Sequence, residues 1–283
     1  MSRFSIAGLQ LELKSEDNVD LLCEEIRKTR RRFPWLQMVV LAELSAFGVD
    51  TKKAQAMPGN AERDFAGVAK ETGLWVVPGS LYENNNGSIF NTSPVINPDG
   101  AVVARYRKMF PFRPYEENIA CGEEFTTFSI DGVGVFGVSI CYDMWFPETT
   151  RSLVCNGAEV IIHPTLTNTI DRDVELAIAR ANAASNQCYF IDINSAGPLG
   201  LGRSIVVGPG GEVVHQAGAG REIIPVEIDL DHVRRVRERG WHNLGQPLKS
   251  FRDNPVRFPA YTGRGNLPGL SALGELKKPV KDK

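Results

Sequence analysis

The sequence predicts an α/β fold: two stacked mixed sheets with helices outside, a four-layer α-β-β-α sandwich. Three observations point to it. Residues 4 to 81 alternate strand, helix, strand, helix, strand. The chain then changes to hairpins before a second run of helices and strands. Finally, "SPVINPDGAVV" (Ser93 to Val103) is echoed by "SIVVGPGGEVV" (Ser204 to Val214), matching without a gap at Ser, Val, Pro, Gly, Val and Val. Each reads as a hairpin on a Pro-x-Gly turn, about equally far beyond a helix-then-strand unit. The two are therefore read as equivalent elements of two halves of one domain.

The elements follow in order. Phe4 to Leu11 alternates as a strand, and Ser15 to Phe33 places Val19, Leu22, Cys23, Ile26 and Phe33 on one helix face. "QMVVLAEL" is apolar but too short for a helix, which suits a buried strand. Asn60 to Thr72 reads as a helix with Asn60 as N-cap and Gly73 past its end, leading into the strand "LWVVPGSL". Ser88 to Arg105 is a hairpin around Asn97-Pro98-Asp99-Gly100, and Phe125 to Cys141 forms two strands around Asp131-Gly132. A helix over Pro147 to Asn156, closed by Gly157, precedes the strand "AEVIIHP". The alanine-rich helix Asp171 to Gln187 precedes "CYFIDIN". Strands at 203–208, 212–215 and 222–228 and a charged helix from Asp229 complete the pattern. Residues 1–260 are expected to form a single domain, with 261–283 as a tail rich in Gly, Pro and Lys.

Composition narrows the function. The net charge is −2 and the pI near 6.1, giving no reason to expect nucleic acid or an anionic membrane as partner. The basic run from Arg27 to Arg32 ends a helix, where cations are favoured electrostatically. The opening alternates like a strand and reaches charge too early for a signal peptide, and no run has the length of a membrane span. Five scattered cysteines without a CxxC pair argue for reduced thiols and a cytoplasmic setting, against a disulfide framework or a zinc site.

Three reactive side chains directly follow apolar strands: Glu43 after "MVVLA", Lys108 after "VVARYR" and Cys141 after "VFGVSI". Strand-end loops are where α/β folds place ligands and catalysis. Taken alone, each has a plain reading: a salt-bridge partner, a surface lysine, a buried apolar thiol. Together they make a working set. A thiol with a pKa of roughly 8.5 is only a few per cent thiolate at neutral pH. A cation favours the thiolate, and a carboxylate moves the proton. Among the histidines only His163 sits at a comparable strand end, so a Cys141–His163 dyad stays open; no pair has metal-ligand spacing.

On "LAELSAFG", "YRKMFPF" and "ICYDMWFPE", the chain resembles the carbon–nitrogen hydrolases of the nitrilase superfamily, from "SIAGLQLE" to "VVGPGGEVV". The resemblance implies the same sandwich, no cofactor or metal, and a homodimer or higher homo-oligomer packed through helices beside the site. It implies that Cys141 attacks an amide or nitrile carbon to give a thioester-type intermediate. Glu43 would be the general base, and Lys108 with the Tyr142 N–H would hold the oxyanion. A second glutamate is expected in "YEENIACGEEF", where the spacing to Gly122 favours Glu117 over Glu116. The expected pocket wall comprises Tyr115, Trp145, the stretch His163 to Asn168 with Thr165 in it, and the loop "SAGPLGLGRS", and Arg113 or Arg203 are candidate partners of a substrate carboxylate. Cys-Tyr-Asp at the nucleophile looks like the amidase and carbamoylase side of the family, so the expected substrate is a small amide or carbamoyl compound. A nitrile is the alternative substrate, and a catalytically silent scaffold the alternative of another class. The other four cysteines are expected to be structural. Part of the tail is expected to cross onto a neighbouring subunit, folding back being the alternative, with "KKPVKDK" mobile.

Overall fold

A computed structural model describes residues 2–262 and 267–278. The first half runs β1 (Arg3–Gln10), α1 (Val19–Arg32), β2 (Met38–Leu41), α2 (Asn60–Thr72), β3 (Trp75–Val77), β4 (Leu81–Asn85), β5 (Ser88–Ile96) and β6 (Val102–Arg107). The second runs β7 (Thr127–Ile130), β8 (Gly134–Val138), α3 (Pro147–Cys155), β9 (Val160–Thr165), α4 (Asp171–Asn186), β10 (Tyr189–Asn194), β11 (Ile205–Val207) and β12 (Val213–Gln216). β13 (Glu222–Asp229) then returns to the first sheet, and α5 (Leu230–Arg239) follows it.

Each sheet is mixed. In one, β1, β2 and β3 are parallel, while β13, β5, β4 and β6 join antiparallel. In the other, β8, β9 and β10 are parallel, flanked by antiparallel β7, β11 and β12. The sequence echo is a structural one. Its two hairpins, β5–β6 and β11–β12, both shift register at aligned positions, between Val95 and Ile96 and between Val206 and Val207.

Strand alternation sorts side chains into layers. Phe4, Ile6, Met38 and Val40 face the second sheet, packing in one core with Phe136, Val138, Val160 and Ile162. Their neighbours Ala7, Leu9, Val39 and Leu41 turn outward onto Leu22 and Ile26 of α1 and Phe65 and Val68 of α2. On the far side Ile161 and Phe190 meet Leu153 of α3 and Leu176, Ala179 and Ala183 of α4. Each fully buried Leu, Ile or Phe contributes about 1.5–3 kcal/mol, so both faces of both sheets are held. The four layers expected from the sequence are present.

Local details differ. α1 begins at Val19 rather than Ser15, because Asn18 turns its amide onto the carbonyls of Lys14, Glu16 and Ser45 and fixes a turn there. Gly59, not Asn60, caps α2. β4 was not expected; it pairs with β5 through Asn86-Gly87, both at positive φ, the backbone a tight hairpin needs. Among the cysteines, Cys23 and Cys188 are buried structural thiols, with burial pushing them up to about 11 and about 12. Cys121 and Cys155 are exposed instead, so a structural role does not fit them.

Beyond α5 the tail forms short helices at Pro247–Asp253, Pro259–Thr262 and Pro268–Ser271. It touches its own subunit at several points. Leu248 packs against the core beneath α3 and α4, and the Arg151 guanidinium lies 5.0 Å from the Phe251 ring centre. The Tyr261 hydroxyl donates to Glu148 Oε1 at 2.9 Å, and the Lys278 ammonium lies 5.8 Å from the Tyr115 ring centre. Most of "KKPVKDK", from residue 279 on, lies outside the described residues. Among the described residues no helix is long and apolar enough to cross a membrane.

Candidate active site

Glu43, Lys108 and Cys141 meet at one cavity of about 720 Å³. Backbone geometry puts them there. β2 ends two residues before Glu43, and Leu44, next along, is left-handed with φ +50°. The Glu43 N–H donates to the Thr165 carbonyl at 3.2 Å, tying the two sheets together at the site. Gly79 makes room: a Cβ there would lie 1.7 Å from the Ala42 carbonyl oxygen, displacing the residue before Glu43. Cys141 follows β8 with φ +46°, a strained turn that lifts the thiol out of the strand and opens the short helical turn Cys141–Trp145.

Asp143 locks that turn to the lysine. Its Oδ2 accepts from the Tyr106 hydroxyl (2.7 Å) and the Ile140 N–H (2.9 Å), and its Oδ1 from the Phe110 N–H (2.9 Å). Lys108 lies between Tyr106 and Phe110 in sequence, so one carboxylate sets the spacing of ammonium and thiol. Burial pushes Asp143 up to about 6, against the hydrogen bonds it accepts.

The Lys108 ammonium donates to Glu43 Oε1 at 2.8 Å and to Glu116 Oε2 at 3.0 Å, with 2 % of its side chain exposed. Burial opposes its charge, but Glu43 and Glu116 outweigh burial and hold it well above the usual lysine range. Burial raises Glu43, partly offset by Lys108, which suits a carboxylate that must accept a proton. Asn91 Nδ2 donates to the same Glu43 oxygen at 2.8 Å and fixes its rotamer. Burial, then the neighbouring Glu43 charge, raises Cys141 well above the ordinary thiol. A thiol so raised needs a base to reach the thiolate.

The second glutamate at Lys108 is Glu116, not Glu117. Glu116 also accepts from the Phe112 N–H at 2.5 Å and from the Tyr82 hydroxyl at 3.4 Å. Glu117 is an exposed residue of the cavity wall, and its carbonyl accepts from Arg113. Spacing to Gly122 misled by one position because this loop has no periodicity to fix which side chain turns inward.

No residue of the loop 195–204 is in the described cavity wall, whereas Tyr115, Tyr142, Trp145 and Leu166 to Asn168 line the cavity as expected, together with Tyr82 and Phe112. His163 and Thr165 do not. Both are strand residues of β9, fully buried, whereas the wall is formed by the loop that follows. His163 Nδ1 pairs with the Ser139 hydroxyl at 2.7 Å, and burial lowers its pKa to about 4. It is a neutral core residue, and a Cys–His dyad is not formed. Neither arginine reaches the cavity: Arg113 binds the Glu117 and Ile119 carbonyls, and Arg203 pairs with Asp173 at 2.6 Å. Lys278 of the tail is instead the second cation of the wall.

A buried thiol beside an ammonium and two carboxylates, at the strand ends of an α-β-β-α sandwich, has the makings of a thiol hydrolase site. The carbon–nitrogen hydrolase family model matches residues 5–238, and the chain belongs to that family, within the nitrilase superfamily. It is 30% identical over 260 residues to the ω-amidase NIT2 of Homo sapiens, covering 84% of this chain and 93% of the relative. The ω-amidase NIT2-B of Xenopus laevis is 28% identical over the same shares. Among solved structures, Saccharomyces cerevisiae Nit3, a nitrilase-superfamily member, superposes with a TM-score of 0.78 at 29% identity, over 84% of this chain and 94% of that one. The NitN amidase of Nesterenkonia sp. AN1 gives 0.74 at 25%, over 83% and 97%. The family and fold implied by the three motifs are those found, and the chain is a hydrolase of carbon–nitrogen bonds.

Proposed function

We propose that this chain is a small-molecule amidase acting through Cys141, Glu43 and Lys108, with Glu116 as the second glutamate. The contact that supports this reading best is the buried Lys108 ammonium bridging Glu43 and Glu116 beside the thiol. Glu43 takes the Cys141 proton as sulfur attacks the amide carbon. Lys108, with the Tyr142 N–H, balances the charge on the carbonyl oxygen. Collapse breaks the C–N bond, Glu43 returns the proton to nitrogen, and ammonia leaves a thioester. Water, deprotonated by Glu43, then releases the acid and restores the thiol. Nothing in these steps calls on a metal or cofactor, and the chemistry suits a cytoplasmic enzyme with a reduced thiol.

The substrate class favoured is an ω-amide, on two supports. The similar curated relatives are ω-amidases. The free carboxylate of such a substrate would meet Lys278, the one cation of the described cavity wall besides Lys108. An ammonia-release screen over ω-amides, neutral amides, N-carbamoyl amino acids and nitriles tests this. ω-Amides should lead, and Lys278→Ala should raise KM for ω-amides by about tenfold while sparing neutral amides. Turnover of nitriles alone would refute the amidase reading.

A homodimer through α3 and α4 belongs to the same proposal. Leu153 and Val154 are buried within their own subunit, but α4 presents Val174 outward, with Ile170 (91 % exposed) just before it. Light scattering should give the mass of two chains, and of one chain for Ile170→Asp/Val174→Asp. A wild-type monomer would end this part of the proposal.

A further inference from the structure

A second buried polar chain reaches the nucleophile, and the reaction steps above leave it unused. Thr167 Oγ1 lies 3.9 Å from Cys141 Sγ. The same hydroxyl donates to Glu175 Oε1 at 2.9 Å. Arg172 holds the other oxygen of Glu175 at 3.1 Å and Asp192 Oδ2 at 2.8 Å, and also donates to the Arg203 carbonyl at 2.8 Å. Thr167, Glu175, Arg172 and Asp192 are all buried, yet Thr167 and Glu175 face the cavity.

The position of Thr167 is fixed from both sides. Asn194 Oδ1 accepts from its N–H and Asn194 Nδ2 donates to its carbonyl, both at 3.0 Å. Arg172, Glu175 and Asp192 would pin α4 to β10 without any threonine. What Thr167 adds is a link from that cluster to the space beside the sulfur.

Proton placement decides what the hydroxyl offers. A threonine hydroxyl has one proton and two lone pairs. Here the proton is committed to Glu175, so toward the cavity Thr167 is an acceptor only. Once Sγ has bonded the substrate carbon, the scissile nitrogen sits within about 3 Å of the sulfur, and when it lies on the Thr167 side it comes within hydrogen-bond reach of an oxygen 3.9 Å from that sulfur. A primary amide has N–H groups to give. An ester and a nitrile have none.

We propose that Thr167, oriented by Glu175, is a specificity residue that accepts an N–H of the scissile amide. This deepens the amidase reading and rests on it. As Glu43 returns its proton, the departing nitrogen gains positive character, and the Thr167–Glu175 pair faces that charge with a lone pair backed by a carboxylate. No proton passes through Thr167. The C–N bond breaks, the nitrogen keeps the proton from Glu43, and ammonia leaves.

The test compares a primary amide with the ester of the same acid in purified enzyme, reading kcat/KM for each. Thr167→Val keeps the shape and removes the acceptor. It should lower amide turnover about ten- to hundredfold and leave ester turnover within about threefold; Thr167→Ser should restore the wild-type ratio. Where the valine variant fails to fold, Glu175→Gln takes its place: it can still accept from Thr167, loses the charge, and should lower the amide-to-ester ratio several-fold. Equal losses on amide and ester, or an unchanged ratio, would overturn the inference and leave the cluster a packing feature. A wild-type enzyme that cleaves the ester but no amide would defeat the amidase reading itself, a separate result.

Discussion

Cys141→Ala is expected to abolish amide turnover, by at least about 10⁴-fold, while the protein folds normally. The loss is total in kind, because the described cavity wall holds no second thiol; of its carboxylates Glu43, Glu116 and Glu175 are engaged with Lys108 or Arg172, and Glu117 and Asp171 are no substitute for a sulfur nucleophile. Folding should survive because the change removes one sulfur at a cavity wall, where a loss of about 1 kcal/mol is typical of small deletions. The backbone strain at φ +46° is shared by Ala and Cys, so it does not separate the two. Ammonia release and a thermal melt on the same preparation check both halves. Residual turnover above about one per cent, free of wild-type contamination, would remove Cys141 from the mechanism.

The three reactive positions were legible in the sequence because each follows a short apolar strand, and strand ends in α/β folds converge on one edge. The sandwich was legible in the echo of two hairpins, which the structure repeats down to the register shift after Val95 and after Val206. What was not legible depends on direction rather than on order along the chain. Glu116 and Glu117 are neighbours in a loop, and hydrogen bonds from the Phe112 N–H and the Tyr82 hydroxyl, made only in the folded chain, turn Glu116 toward Lys108. His163 ends an apolar run like Cys141, but the strand continues through it, so its side chain stays buried on the helix-facing side of the sheet against Phe190. Thr167 falls within the expected wall from His163 to Asn168, but no motif or spacing ties its hydroxyl to Glu175. Its neighbour Glu175 is three residues from Arg172, a spacing that shows a helix-surface pair and not that both are buried.

Glu43→Gln should cost about as much as loss of the thiol, for a different reason. Gln keeps the shape and the oxygen that accepts from Asn91, but an amide takes no proton from sulfur or water at neutral pH. Both acylation and hydrolysis of the thioester therefore fail, and rapid mixing should show no burst of ammonia. Lys108→Ala removes a charge from between two buried carboxylates, so it acts twice. One oxyanion donor is worth about 10²–10³ in rate. Leaving Glu43 and Glu116 buried without their cation costs several kcal/mol of stability, about 3–5 for a broken buried pair. The two effects separate by measurement. Adding Glu116→Gln to Lys108→Ala removes one of the stranded charges and should recover part of the stability without recovering turnover. Near-wild-type kcat in a folded Lys108→Ala protein would withdraw the oxyanion role. Turnover that returns together with stability in the double variant would show that Lys108 serves only to hold the carboxylates in place.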